Sequence, residues 1–229
     1  MTYFPLAETH DTGTAYWESL GLLGGSTGMS QLPCSMPTVM VAPDGTSTGD
    51  TFTLTDSVYK VVGNKSGVSW NLDGDDGSTA YTKTLVVGYL HGNDTIVCGM
   101  GVSEDIYGTD YGSTDDWTNT LTMVSRDYTN AMEIFKWDGS SNQTILASDA
   151  TIYSNLTVPF PLFGVALYSE AGSPGVQKGF VKFGSESQWF QIHSITETQG
   201  NQKSLMFFGA YYSSTARLVT PVMAWGVEA

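Results

Sequence analysis

About a dozen short apolar or alternating runs, each soon cut off by Gly, Asn, Asp or Pro, leave this chain little choice but an all-β fold. No stretch keeps a helical period long enough to compete. Residues 50–55 show the cleanest alternation, with Phe52 and Leu54 set between threonines as in a half-buried strand. Residues 81–90 carry Leu85, Val86 and Val87 in succession, and residues 160–168 are continuously apolar, so both runs are expected in the middle of a sheet, covered on each side. Further strands are expected at 38–42, 58–62, 68–72, 96–100, 119–125, 132–137, 144–147, 180–183 and 189–192, with a polar loop at 197–202. The run at 96–100 is expected to pair with 81–90 through the turn at 91–94.

Residues 205–225 read as a closing hairpin, in which Phe207, Phe208, Tyr211 and Tyr212 supply bulk on one arm and Leu218, Val219, Val222, Met223 and Trp225 on the other. Gly209 leaves room for a close backbone approach, and Pro221 removes a ladder donor. The architecture expected is a two-sheet antiparallel β-sandwich, a jelly roll, over residues 37–229, preceded by an extended amino-terminal arm over residues 1–36. Within the arm Tyr16, Leu20 and Leu23 fall at helical spacing, but Gly21, Gly24 and Gly25 limit any helix to about two turns. Two roles are open to it: a coil packed on its own sandwich, or an arm reaching a neighbouring subunit.

The chain of 229 residues holds 9 Lys and Arg against 23 Asp and Glu, a formal net charge of −14. Such a surface repels nucleic-acid backbones and anionic bilayers, and it keeps many copies soluble before assembly. The first residues lack a positive segment followed by an apolar run, and no run approaches the roughly 20 residues that span a bilayer, so a soluble chain made in the cytoplasm without a signal peptide is expected. The sequons at Asn64, Asn93, Asn142 and Asn155 then read as turn and strand-end residues. Cys34 and Cys98 are expected as free thiols.

The turn Asn71-Leu72-Asp73-Gly74-Asp75-Asp76-Gly77 places the carboxylates of Asp73, Asp75 and Asp76 close together, a weak calcium candidate. Its glycine is offset from the helix-loop-helix calcium pattern and the bidentate glutamate is missing, so ordinary hairpin chemistry is the competing reading. The acidic, aromatic stretch from Ser103 to Trp117 is expected as a long surface loop. Tyr107, Tyr111 and Trp117 could stack on sugar rings while Asp105, Asp110, Asp115 and Asp116 accept hydroxyl protons, or the aromatics could be tucked beneath an acidic solvated loop. Catalysis finds no constellation. His10, His91 and His193 are far apart in sequence, no nucleophile elbow or zinc motif occurs, and Glu104-Asp105 is not the paired carboxylate arrangement of a glycosidase strand.

The segments Leu205-Met-Phe-Phe-Gly-Ala and Arg217-Leu-Val-Thr-Pro-Val-Met-Ala-Trp225, with Phe163-Gly-Val-Ala-Leu-Tyr168, resemble strands of concanavalin-like, laminin-G-type jelly rolls. In overall texture the chain also resembles surface proteins of tailed-bacteriophage virions. That resemblance implies a non-enzymatic structural protein on the particle surface, a capsid decoration protein in first place. Its partners would be the major capsid protein or another virion component, with homo-oligomeric assembly for which a trimer is a natural geometry. The alternative is a lectin-like carbohydrate-binding module or a fibre adhesin that takes a host-surface glycan.

Overall fold

The structure, a computed structural model, describes residues 14–33, 51–55, 58–62, 66–74, 76–91, 97–106, 117–126, 131–138, 143–149, 163–183, 189–210 and 215–229. In chain order the elements are α1 (Thr14–Ser19), β1 (Ser30–Gln31), β2 (Thr51–Thr55), β3 (Val58–Val62), β4 (Ser66–Asn71), β5 (Tyr81–His91) and β6 (Val97–Ser103). There follow β7 (Thr118–Arg126), β8 (Ala131–Asp138), β9 (Gln143–Asp149), β10 (Phe163–Glu170), β11 (Gly172–Phe183), β12 (Phe190–Gln199), β13 (Ser204–Ala210) and β14 (Thr215–Glu228). They form two antiparallel sheets, a larger one ordered β12-β11-β10-β5-β14-β3-β2 with β1 beside β14, and a smaller one ordered β4-β13-β6-β7-β8-β9. The all-β sandwich expected from the sequence is the fold observed.

Period-two alternation decides what lies between the sheets. Val86, Leu90, Val165, Leu167, Val181 and Ala224 face inward from the larger sheet onto Met100, Val102, Leu121, Met123, Ile134, Leu205 and Phe207 of the smaller one. Each of these side chains larger than Ala224 contributes about 1.5–3 kcal/mol by leaving water. The outer faces are apolar as well. Leu85, Val87, Tyr89, Ala166 and Phe180 lie outside the larger sheet beneath Trp17, Leu22 and Leu23, while Trp117, Val124, Phe135, Trp137 and Met206 form a third buried cluster. The consecutive apolar residues of β5 and β10 are explained by this double coverage, and both strands are central.

The amino-terminal segment from Thr14 to Leu32 forms a cap on its own sheet. Its helix stops after six residues because Gly21, at φ 68°, takes the left-handed conformation that L side chains avoid. Leu22 N then donates to Trp17 O at 2.9 Å and Gly21 N to Glu18 O at 2.9 Å, closing the helix as a Schellman turn. The turn redirects the apolar side chains. Trp17 is fully buried, whereas Leu20, expected on the packed face, is 40% exposed. The cap is fastened by β1, where Ser30 and Gln31 pair with Gly226 and Trp225, and by Leu32 N donating to Ala224 O at 2.8 Å. Among the described residues no helix is long and apolar enough to cross a membrane.

Three expectations are overturned, two of pairing and one of a loop. The closing hairpin over 205–225 does not form, because β13 lies between β4 and β6 in the smaller sheet and β14 lies between β5 and β3 in the larger. Both arms are apolar on both faces, so each suits a central position in a different sheet, and alternation alone does not choose a partner. The same holds for β5 and β6, which belong to opposite sheets although a short turn was expected to join them. The polar loop at 197–202 is in part strand, since β12 continues to Gln199 as an edge whose exposed residues need not be apolar. Pro221 behaves as expected, with the register of β14 on β5 shifting between Val219 and Met223. The strand expected at 38–42 lies outside the described residues.

Candidate functional site

Of the aromatic residues expected at a sugar site, Trp117 is placed otherwise. Its ring is fully buried and meets Trp137 edge to face at 5.6 Å, within the cluster on the outer side of the smaller sheet. It packs as core and offers no face to a ligand. Tyr107, Asp110, Tyr111, Asp115 and Asp116 lie outside the described residues. Asp105 fixes the start of the loop, accepting a 2.6 Å hydrogen bond from Thr118 Oγ1 on its carboxylate and one from Ser204 Oγ on its backbone carbonyl. Glu104 Oε1 accepts from Gly200 N at 2.7 Å, which ties the same loop to the β12–β13 connection.

The carboxylates of the proposed calcium turn are used within the turn. Asp73 Oδ1 and Oδ2 accept from the amides of Gly77 and Thr79 at 3.2 and 3.0 Å, and Asp76 Oδ1 accepts from Ser78 N at 2.9 Å. Hydrogen bonds from the Ser78 side chain and amide hold the Asp76 carboxyl below its usual range. The Asp76 contact is an Asx turn, and Asp73 closes the wider loop around it. Asp75 lies outside the described residues, and among those described no three His, Cys, Asp or Glu side chains gather as an ion site. Cys98 is buried on the inner face, and Cys34 lies outside the described residues.

The structure brings together a group that sequence reasoning missed. A cleft of about 250 Å³ opens on the outer face of the larger sheet where the cap ends, between Leu20, Leu22, Thr27 and Met29 of the cap and a largely polar wall on β5, β10 and β11 that also holds Val176. Strand register builds that wall. Glu170 of β10 stands directly opposite Lys83 of β5, and Tyr168 of β10 directly opposite Lys178 of β11, so two cross-strand pairs share one face.

The pairs are coupled. Lys83 Nζ lies 3.1 Å from Glu170 Oε1, which also accepts a 2.6 Å hydrogen bond from the Tyr168 hydroxyl. Lys178 Nζ stands 5.7 Å from the centre of the Tyr168 ring, at cation–π range. Burial acts to raise the Glu170 carboxyl, but the Tyr168 hydroxyl and the Lys83 and Lys178 ammonium groups outweigh it and hold the group below its usual range. Burial, followed by the hydrogen bond to Glu170 and its charge, pushes the Tyr168 hydroxyl up, so it remains a donor. Behind the wall the same strands turn Thr84, Ser169 and Gln177 inward, all fully buried and in register with one another. Thr84 bonds Gln202 at 3.3 Å and Gln177 bonds the Glu170 carbonyl at 2.9 Å, so the sheet is polar on both faces here.

Sheet order and coverage define the class as a two-sheet antiparallel β-sandwich with both outer faces clothed. Solved structures of similar fold include the exoplasmic/lumenal domain of VIP36 in a Ca2+/Man3GlcNAc-bound form, at TM-score 0.49 and 12% identity over 78% of this chain and 81% of that one. The carbohydrate recognition domain of Emp47p is similar at TM-score 0.47 and 13% identity, over 89% of this chain and 99% of that one. The ligand-binding domain of botulinum neurotoxin serotype D, in complex with N-acetylneuraminic acid, is similar at TM-score 0.42 and 12% identity over 80% of this chain and 42% of that one. No protein-family model matches the sequence, and a search of curated proteins found no match.

Proposed function

We propose that this chain is a non-catalytic carbohydrate-binding sandwich whose ligand sits in the cleft between the cap and β5, β10 and β11. The observation that carries the reading is the opposition of a mostly apolar wall, Leu20, Leu22 and Met29 with Thr27 among them, to a mostly hydrogen-bonding wall, Lys83, Tyr168, Glu170 and Lys178 with Val176 among them. A sugar ring presents the same division, with CH groups on one side and hydroxyls around the edge. The cleft of about 250 Å³ is smaller than the roughly 300–1,000 Å³ of drug-sized pockets, which suits a single sugar residue at a chain end and excludes a large cofactor. Nothing in the wall is arranged to break a bond. Its one carboxylate is occupied by the Tyr168 hydroxyl and the Lys83 ammonium.

A glycan array tests the reading. The intact chain should bind a defined subset of glycans, and Lys83→Ala combined with Glu170→Ala, which leaves the net charge unchanged, should weaken binding at least tenfold. Absence of binding to any glycan, or binding indifferent to both substitutions, would remove the reading.

A place on a virion surface, with the major capsid protein as partner and the chain assembled as a homo-oligomer, is a second proposal. What favours it is the charge of −14, which keeps copies apart until they dock. The described part of the amino-terminal segment is committed to its own sheet and lends it no support. Stoichiometric cosedimentation with undecorated capsids is the expected result, and a chain left in the supernatant would end it.

A further inference from the structure

We propose that the cleft selects saccharides bearing a carboxylate, and that Lys178 is the group that pairs with it; this rests on the reading of the cleft as a sugar site. The argument begins with charge placement. In a chain of net charge −14 with only 9 Lys and Arg, two ammonium groups, Lys83 and Lys178, line one small cleft. They face a single carboxylate there, so the wall carries a local excess of one positive charge against the sign of the whole molecule.

The two ammonium groups are not equivalent. Lys83 is spent on Glu170 at 3.1 Å, and the same Glu170 oxygen takes the Tyr168 hydroxyl at 2.6 Å. That carboxylate is therefore poorly placed to accept a sugar hydroxyl, and the wall presents donors more than acceptors. Lys178 has the face of Tyr168 at 5.7 Å, and among the described residues no carboxylate lies within ion-pair distance of it. An ammonium resting on an aromatic ring keeps its remaining N–H groups for an acceptor in the cleft. A carboxylate is the sugar substituent that takes most from such a donor, through a charge-assisted hydrogen bond about twice as strong as a neutral one. The negative surface around the cleft repels an anion at long range, so any preference for one must arise at this contact.

Hexuronates and sialic acids both carry that group, and the experiment separates them. The full chain is titrated with tetragalacturonate, sialyllactose, the methyl esters of both, sulfated lactose and lactose itself. Binding of one or both acids at least tenfold more tightly than their esters is expected, and the acid that binds names the source. Lys178→Met keeps the stem of the side chain and should abolish that ratio without lowering thermal stability. Lys178→Arg should restore it. Equal binding of acid and ester, a preference that survives Lys178→Met, or sulfated lactose bound as well as the acids would overturn the inference and leave the sugar reading intact. Silence toward every saccharide would sink both.

Discussion

Two ends of one sheet face invite comparison, because the same strands and the same cap make them differently. At one end Trp17 packs edge to face on Phe180 at 5.0 Å and against Trp189 at 5.0 Å, with Tyr89 at 6.1 Å beyond. Two residues along β10 from Ala166 and two back along β11 from Phe180, the same face carries Tyr168 and Lys178, and the cap draws away to leave the cleft. Apolar bulk seals the first end and charge keeps the second open. Stability and recognition are thereby assigned to separate ends of a single surface, and substitutions should separate them.

The largest effect is expected from Trp17→Ala, which removes the ring at the centre of the sealed end and should cost about 3–5 kcal/mol. For a chain of this length that is a fall of roughly 6–20 °C in melting temperature by calorimetry. A loss confined to the cap, with the main transition unmoved, would show that the cap and the sandwich do not melt as one unit. Gly164→Ala should come next, because a Cβ there would stand 2.6 Å from the Trp189 ring; forcing that ring aside should cost about 1–3 kcal/mol by chemical denaturation. Both substitutions act on the sealed end.

At the open end the effects on folding shrink. Tyr168→Phe deletes the hydroxyl that donates to Glu170 and should cost about 0.5–1.5 kcal/mol at neutral pH. The folded protein holds the Glu170 carboxyl below its unfolded value, so the stabilisation is present at neutral pH and is lost as the pH falls through the folded value. Wild type and Tyr168→Phe should therefore converge in stability as the pH falls below the ordinary glutamate value of about 4.3 and through the lower folded one; a gap that stays constant across the whole acid titration would deny the coupling. Smallest of all, Lys83→Met should move stability by about 0–1 kcal/mol, as for other solvent-exposed ion pairs. An open-end substitution that rivalled Trp17→Ala in denaturation would erase the division between the ends.

The elements were more legible in the sequence than their partners. The threonine alternation in β2, the apolar succession in β5 and the breaks at Gly and Asn report local chemistry, and each of these strands is present. The first third of β11, Gly172-Ser173-Pro174-Gly175, has residues that favour turns, yet it is carried as strand by the pairing of Gly172 and Gly175 with β12 on either side of a register shift. The expected hairpins failed for a different reason. Whether β13 meets β14 depends on which sheet completes the burial of each, a property of the assembled sandwich. The cleft was illegible on the same ground. Lys83, Tyr168, Glu170 and Lys178 are unremarkable apart and become neighbours only through the registers of β5 on β10 and β10 on β11. Trp117 was visible as a large aromatic in an acidic stretch, but the burial of the smaller sheet's outer face could not be read from those neighbours.

The position of β14 bears on the order in which the molecule can be built. It follows every other described strand in the chain, yet β5 lies on one side of it and β3 and β1 on the other. A ribosome that has finished β13 has therefore made all of the smaller sheet, while the larger one is still in three unjoined pieces, β12-β11-β10-β5, β3-β2 and β1 with its cap. The two sheets are offered to the folding chain at different times, and the nascent protein must carry exposed strand edges until β14 has emerged.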